Sequence, residues 1–144
     1  MERKQRDKIA AGLAKHIADE EAILAKYKHL GGALRNRPAG LLIRAIFYDE
    51  EHHHLLLKEM AKELKALTKK RPLHVVDGAS RSELMQIVEE LLKHEEETIE
   101  NCRKLKLRFV APESEVFAAI LEALISDSAK HQMLLMALNR ILRA

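Results

Sequence analysis

Tryptophan is absent from this chain of 144 residues, and cysteine occurs once, as Cys102. A single cysteine excludes an internal disulfide and any Cys-x-x-Cys metal knuckle. Glycine (5) and proline (3) are scarce, so little interrupts long regular elements, and aromatics amount to 3 %. No apolar run approaches the roughly 18 residues that span a bilayer, so no membrane association is expected. Charge of one sign is also lacking. The formal net charge of +3 is too small to point to nucleic acid. The basic start, Met1 to Lys8, reads as the solvated first turns of a helix. No signal-peptide pattern precedes it, so the expected compartment is the cytoplasm.

What remains is 47 % apolar and 33 % charged residues, dominated by Ala, Leu, Glu, Lys and Arg. That mixture marks a helical protein, and the length suits one domain, residues 1–144, with a buried core. Four apolar stripes of helical period can be traced. The first runs Ile9, Leu13, Ile17, Glu20, Leu24, Tyr27, Leu30 and is expected to stop at Gly31-Gly32. The second follows Pro38 through Leu42, Ile46, Glu50, His53, Leu57, Met60 and Leu64. The third opens on a capping box, Ser80-x-x-Glu83, and continues Leu84, Ile87, Leu91, Glu95, Thr98, Cys102, Leu105, Phe109. The fourth starts near Pro112 and runs Phe117, Ile120, Leu124, Ser128, His131, Leu135, Leu138 and Ile141. The expected helices cover about residues 4–30, 39–68, 81–110 and 113–143.

The connections differ in kind. Gly31 to Gly40 and Val110 to Glu113 are short, which predicts antiparallel hairpins for helices 1–2 and 3–4. Lys69 to Ala79 is longer and holds Pro72, a β-prone Leu73-His74-Val75-Val76 and an Asp77-Gly78 turn. Extended, such a segment reaches roughly 35 Å, about the length of a helix of some 20 residues. It can therefore cross a bundle and leave helices 2 and 3 parallel. The two halves also repeat. Asp49-x-x-x-His53 and Asp127-x-x-x-His131 match at an offset of 78, and Glu20 and Glu95 match at 75.

Each stripe carries a polar break near its middle. Glu20 and Glu50 stand at similar distances from the first hairpin turn, as Glu95 and Ser128 do from Pro112. Antiparallel arms of equal length place such residues at one height. Carboxylates meeting in an apolar interior cost several kcal/mol each when unpaired, and their pKa values rise. No Arg or Lys lies on the inward stripes to neutralise them, whereas a metal pair would. Carboxylates with imidazoles, spaced Glu-x-x-His so that both point one way, suit iron or manganese.

This motif set resembles the ferritin-like di-iron carboxylate superfamily, closest in style to rubrerythrin-type proteins, and covers essentially the whole chain. The resemblance implies an all-α four-helix bundle of ferritin-like topology, with the long crossover between helices 2 and 3. It implies metal ligands at Glu20, Glu50, His53, Glu95 and His131, with Glu96 one step from Glu95 and the register between them open. Tyr27 matches a tyrosine often found near the metals. Asp49 and Asp127 fit positions that orient a histidine. Ser128 departs from the pattern, which expects a bridging Glu; either Asp127 or solvent fills the gap, or one metal position is weak or lost. The implied cofactor is iron, as two ions or as one with a weak second site, with manganese as the other candidate. The implied chemistry is that of a di-metal oxidase or peroxidase. With one cysteine there is no rubredoxin-like centre, so a separate redox partner protein is expected, together with a homodimer or higher homo-oligomer. The remaining histidines, His16, His29, His52, His54, His74 and His94, read as surface residues, Cys102 as a packed small side chain, and Met60, Met133 and Met136 as core filler. A haemerythrin-like set is disfavoured because no His-x-x-x-His pair exists. The alternative of another class is a non-catalytic helical bundle that dimerises or binds a partner and keeps a degenerate polar layer.

Overall fold

A computed structural model describes residues 2–66 and 78–144. Among them are four α-helices and one short 3-10 turn, with no strand: α1 (Arg3–Ala33), α2 (Ala39–Ala66), α3 (Gly78–Lys106), the 3-10 turn Pro112–Ser114, and α4 (Glu115–Arg143). No helix among the described residues is long and apolar enough to cross a membrane. The chain divides into two compact units, Met1–Arg71 and Pro72–Ala144. Within the first, α1 packs on α2; within the second, α3 packs on α4. The expected crossover at residues 72–78 lies outside the described residues, apart from Gly78, which begins α3.

In the first hairpin the seam follows steps of three and four. Leu13, Ile17, Glu20, Leu24 and Tyr27 on α1 face Gly40, Ile43, Phe47, Glu50, His54, Leu57 and Leu64 on α2, all buried or half-buried. Spacing of this kind keeps one stripe of each helix against its neighbour. The turn tightens through Leu34 N–H to the Leu30 carbonyl at 3.1 Å, Arg37 to Leu34 at 2.9 Å and Gly40 to Arg37 at 2.9 Å. A side chain at Gly40 would run into the Leu34 carbonyl, so this turn requires glycine.

In the second hairpin the deepest apolar side chains are Val88 and Cys102 on α3 and Ile125 and Leu142 on α4. Ion pairs bridge its helices near both ends, Lys106–Glu122 at 2.6 Å and Glu89–Arg143 at 3.8 Å. The Lys106 ammonium also holds the Glu122 carboxyl below its ordinary value, chiefly through the hydrogen bond it donates. Such exposed pairs contribute little energy. Phe109 stacks on Phe117, ring centroids 5.6 Å apart, across the turn.

The helix ends depart from the sequence reading. Gly31 and Gly32 lie inside α1, which runs on to Ala33. Gly31 is half-buried there, and a Cβ in its place would touch Ile43 at 3.6 Å. That is an ordinary van der Waals distance, so a small side chain would fit there. Helix α3 begins at Gly78, so Ser80 lies within its first turn and is not its cap. It ends at Lys106, short of the expected 110. Pro112 disfavours helical geometry at the residue before it, and the chain leaves through Arg108 N–H to Leu105 O at 3.0 Å and Phe109 N–H to Lys106 O at 3.0 Å. Cys102 is buried, as its reading as a packed side chain expected. Met60, Met133 and Met136 are exposed rather than buried among their own hairpin's side chains.

Candidate metal centre

The first hairpin brings together Glu20, Glu50 and His53, each offering a ligand atom within 4.8 Å of the others. Glu20 comes from the middle of α1, while Glu50 and His53 come from one turn of α2. Donors on a common divalent ion with bonds near 2.1 Å stand roughly 3–4 Å apart, so modest side-chain rotation closes this group on an ion. The three differ in exposure: Glu20 is buried, Glu50 half-buried and His53 exposed. A metal held here would rest on a carboxylate floor and keep its solvent side accessible.

The electrostatics fit a cation. Glu20 is 8 % exposed, and its Oε2 is buried without a hydrogen-bond partner. The His16 ring nitrogen Nε2 stands 3.2 Å from that oxygen. Glu50 has its carboxyl pushed above the ordinary value of 4.5. The largest cause is its hydrogen bond with Glu20, followed by burial and by the Glu20 charge; Asp49 adds to the push, and His53 opposes it. Two carboxylates placed this close lack a positive charge between them. An orphaned buried oxygen beside such a pair is the donor set a divalent cation satisfies, so the residues fit a metal.

The second hairpin is sparser. Glu95 on α3 and His131 on α4 meet at 3.1 Å between Oε1 and Nδ1. Glu95 is mostly buried, whereas Glu96 is exposed. The geometry thus places Glu95 as the inward residue of the two. Ser128 is buried in the same seam, at 5 % exposure. Asp127 accepts a hydrogen bond from Lys130 Nζ at 2.9 Å, and the imidazole of His131 meets Glu95. An apolar hollow of about 300 Å³ opens beside the pair, lined by Leu91, Leu134, Leu135 and Leu138. Asp49 is exposed. Tyr27 lines a cavity of about 280 Å³ with Gly31, Ile43 and Phe47, toward the hairpin turn.

One histidine read as a surface residue is buried instead. His54 is buried at 8 % exposure, with Nε2 at 3.8 Å from Glu21 and Nδ1 without a hydrogen-bond partner. The signal was available: His54 lies four residues after Glu50, the next step of the seam toward α1. His16 is exposed as expected, yet its ring reaches the buried carboxylate one turn along α1. His29, His52 and His94 are exposed; His74 lies outside the described residues. No family model matches the chain, and no curated protein or solved structure is significantly similar to it.

Proposed function

We propose that this chain is a metal-binding helical protein of the ferritin-like kind, binding iron or manganese and using it as an oxidase or peroxidase. One observation carries the reading: the most deeply buried carboxylate of the first hairpin, Glu20, has an oxygen without a hydrogen-bond partner, and Glu50 and His53 converge on it. Burying that charge without a counter-ion costs several kcal/mol, and a bound cation offsets the cost. A bound iron or manganese supplies one-electron chemistry toward dioxygen or peroxide. The chain's own residues do the rest. Glu20 and Glu50 hold the charge in place, His53 fixes the exposed side, and the solvent-facing mouth admits a small oxidant.

On this reading Glu95 and His131 are the counterpart of Glu20 and His53, one repeat later, and Ser128 leaves that counterpart short of a carboxylate. The fold that goes with it is a ferritin-like bundle in which residues 72–78 cross over and α2 and α3 run parallel. Reducing equivalents come from a separate redox partner, and the protein self-associates. The test is equilibrium dialysis against Fe(II) under argon and against Mn(II). Wild type should retain at least one ion per chain and Glu50→Ala almost none. Equal retention by the two proteins would remove the carboxylate pair from the site and leave the partner-binding bundle as the better account.

A further inference from the structure

Resting on that reading, we infer that His16 is a further ligand, so that the first hairpin alone presents two carboxylates and two imidazoles to one divalent cation. The ferritin-like pattern assigns no ligand at this position. The geometry does. His16 and Glu20 lie four residues apart on α1, which puts both on the same face one turn apart. The imidazole Nε2 stands 3.2 Å from Glu20 Oε2, the buried oxygen that accepts no hydrogen bond. The asymmetry of exposure distinguishes this contact from an ordinary surface pair. The His16 side chain is 65 % exposed, whereas that of Glu20 is 8 % exposed. A ring free to choose solvent instead reaches inward, to the carboxylate of a residue that belongs to the Glu20–Glu50–His53 group.

The consequence is a change in donor chemistry. Without His16 the group holds two carboxylates and one imidazole, an oxygen-rich set that suits manganese as well as iron. With His16 it holds two of each, a set that favours iron(II), cobalt(II) and zinc over manganese, because imidazole binds those ions better. His16 sits at the mouth on an exposed side chain, so it can close on an ion after entry and swing away to release it. Metal choice at this centre would then be set by a residue outside the motif that locates the centre.

The experiment is anaerobic titration of the full chain with Co(II), followed by visible absorption, and with Mn(II), followed by electron paramagnetic resonance. Four proteins are compared: wild type, His16→Gln, Glu50→Gln and the control His29→Gln. His16 is exposed, so His16→Gln leaves the hairpin packing intact, and circular dichroism checks this. The expected result is that His16→Gln weakens Co(II) binding roughly tenfold or more, alters the cobalt spectrum, and changes Mn(II) binding far less. His29→Gln should behave as wild type, and Glu50→Gln should lose both ions. If His16→Gln binds Co(II) with wild-type affinity and spectrum while Glu50→Gln does not, His16 is a surface ion-pair partner and only this inference is overturned. If wild type binds neither ion, the metal reading itself fails and this one falls with it.

Discussion

Replacing Glu20 by Gln should change the stability of this protein in opposite directions depending on whether metal is present. With chelator, the substitution removes a carboxylate that is 8 % exposed and has an unpartnered oxygen. An isolated buried ion costs several kcal/mol. His16 at 3.2 Å and the hydrogen bond with Glu50 already recover part of that cost. A net gain of about 1–2 kcal/mol remains for the metal-free variant. For a chain of this size that raises Tm by roughly 3–6 °C. With metal at about 100 times Kd, wild type gains about 2.7 kcal/mol by mass action. If loss of the ligand weakens binding about 100-fold, the variant gains only about 0.4 kcal/mol under the same conditions. The order of the two melting temperatures should therefore reverse, the variant higher with chelator and wild type higher with metal. Thermal unfolding followed by circular dichroism, with EDTA and with Fe(II) under argon, reads both. A variant that melts lower in EDTA would show that the Glu20 charge is satisfied by the protein itself, and the argument from the orphaned oxygen would collapse.

Further expectations follow from the same geometry. The Glu50 carboxyl is held above 4.5, so the folded metal-free protein binds more protons than the unfolded chain in the window above that value. Its stabilising share is full below pH 4.5 and is lost as pH rises through the raised value; Glu50→Gln should flatten this slope in urea titrations run with chelator. Asp127 is engaged by Lys130, so Asp127→Ala should leave metal stoichiometry nearly intact while Glu50→Ala abolishes it, and equal losses in dialysis would make Asp127 a direct ligand. Ser128 is buried at 5 % exposure, so Ser128→Glu should cost about 1–3 kcal/mol without metal through overpacking, plus the burden of a charge near Glu95. The same variant should gain more from added Fe(II) than wild type does in thermal unfolding, and no extra gain would mean that position 128 does not face the ligand layer.

The helices were legible because their signal is redundant: stripes in steps of three and four run the length of each, and losing one residue leaves the pattern intact. Helix ends were less so. Gly31-Gly32 carries the composition of a terminator, but α1 runs through both to Ala33, where packing on α2 overrides local propensity. Ser80-x-x-Glu83 has the composition of a cap, yet α3 is already helical from Gly78. For the site, Glu20, Glu50 and His53 were legible from polar breaks at matched heights. His54 was not, because the Glu-x-x-His spacing points to His53 as the inward residue, whereas the seam passes through Glu50 and His54 and leaves His53 at its edge. The reach of His16 to Glu20 depends on a rotamer, which no spacing rule specifies.

The most direct measurement is anomalous X-ray diffraction at the iron and manganese edges from crystals grown with each metal under argon. The account predicts a peak about 2.0–2.3 Å from carboxylate oxygens of Glu20 and Glu50 and from a ring nitrogen of His53, present in wild type and absent in Glu50→Ala. Glu20 and Glu50 oxygens within hydrogen-bond distance of each other, with no anomalous peak between them in metal-soaked wild-type crystals, would contradict it.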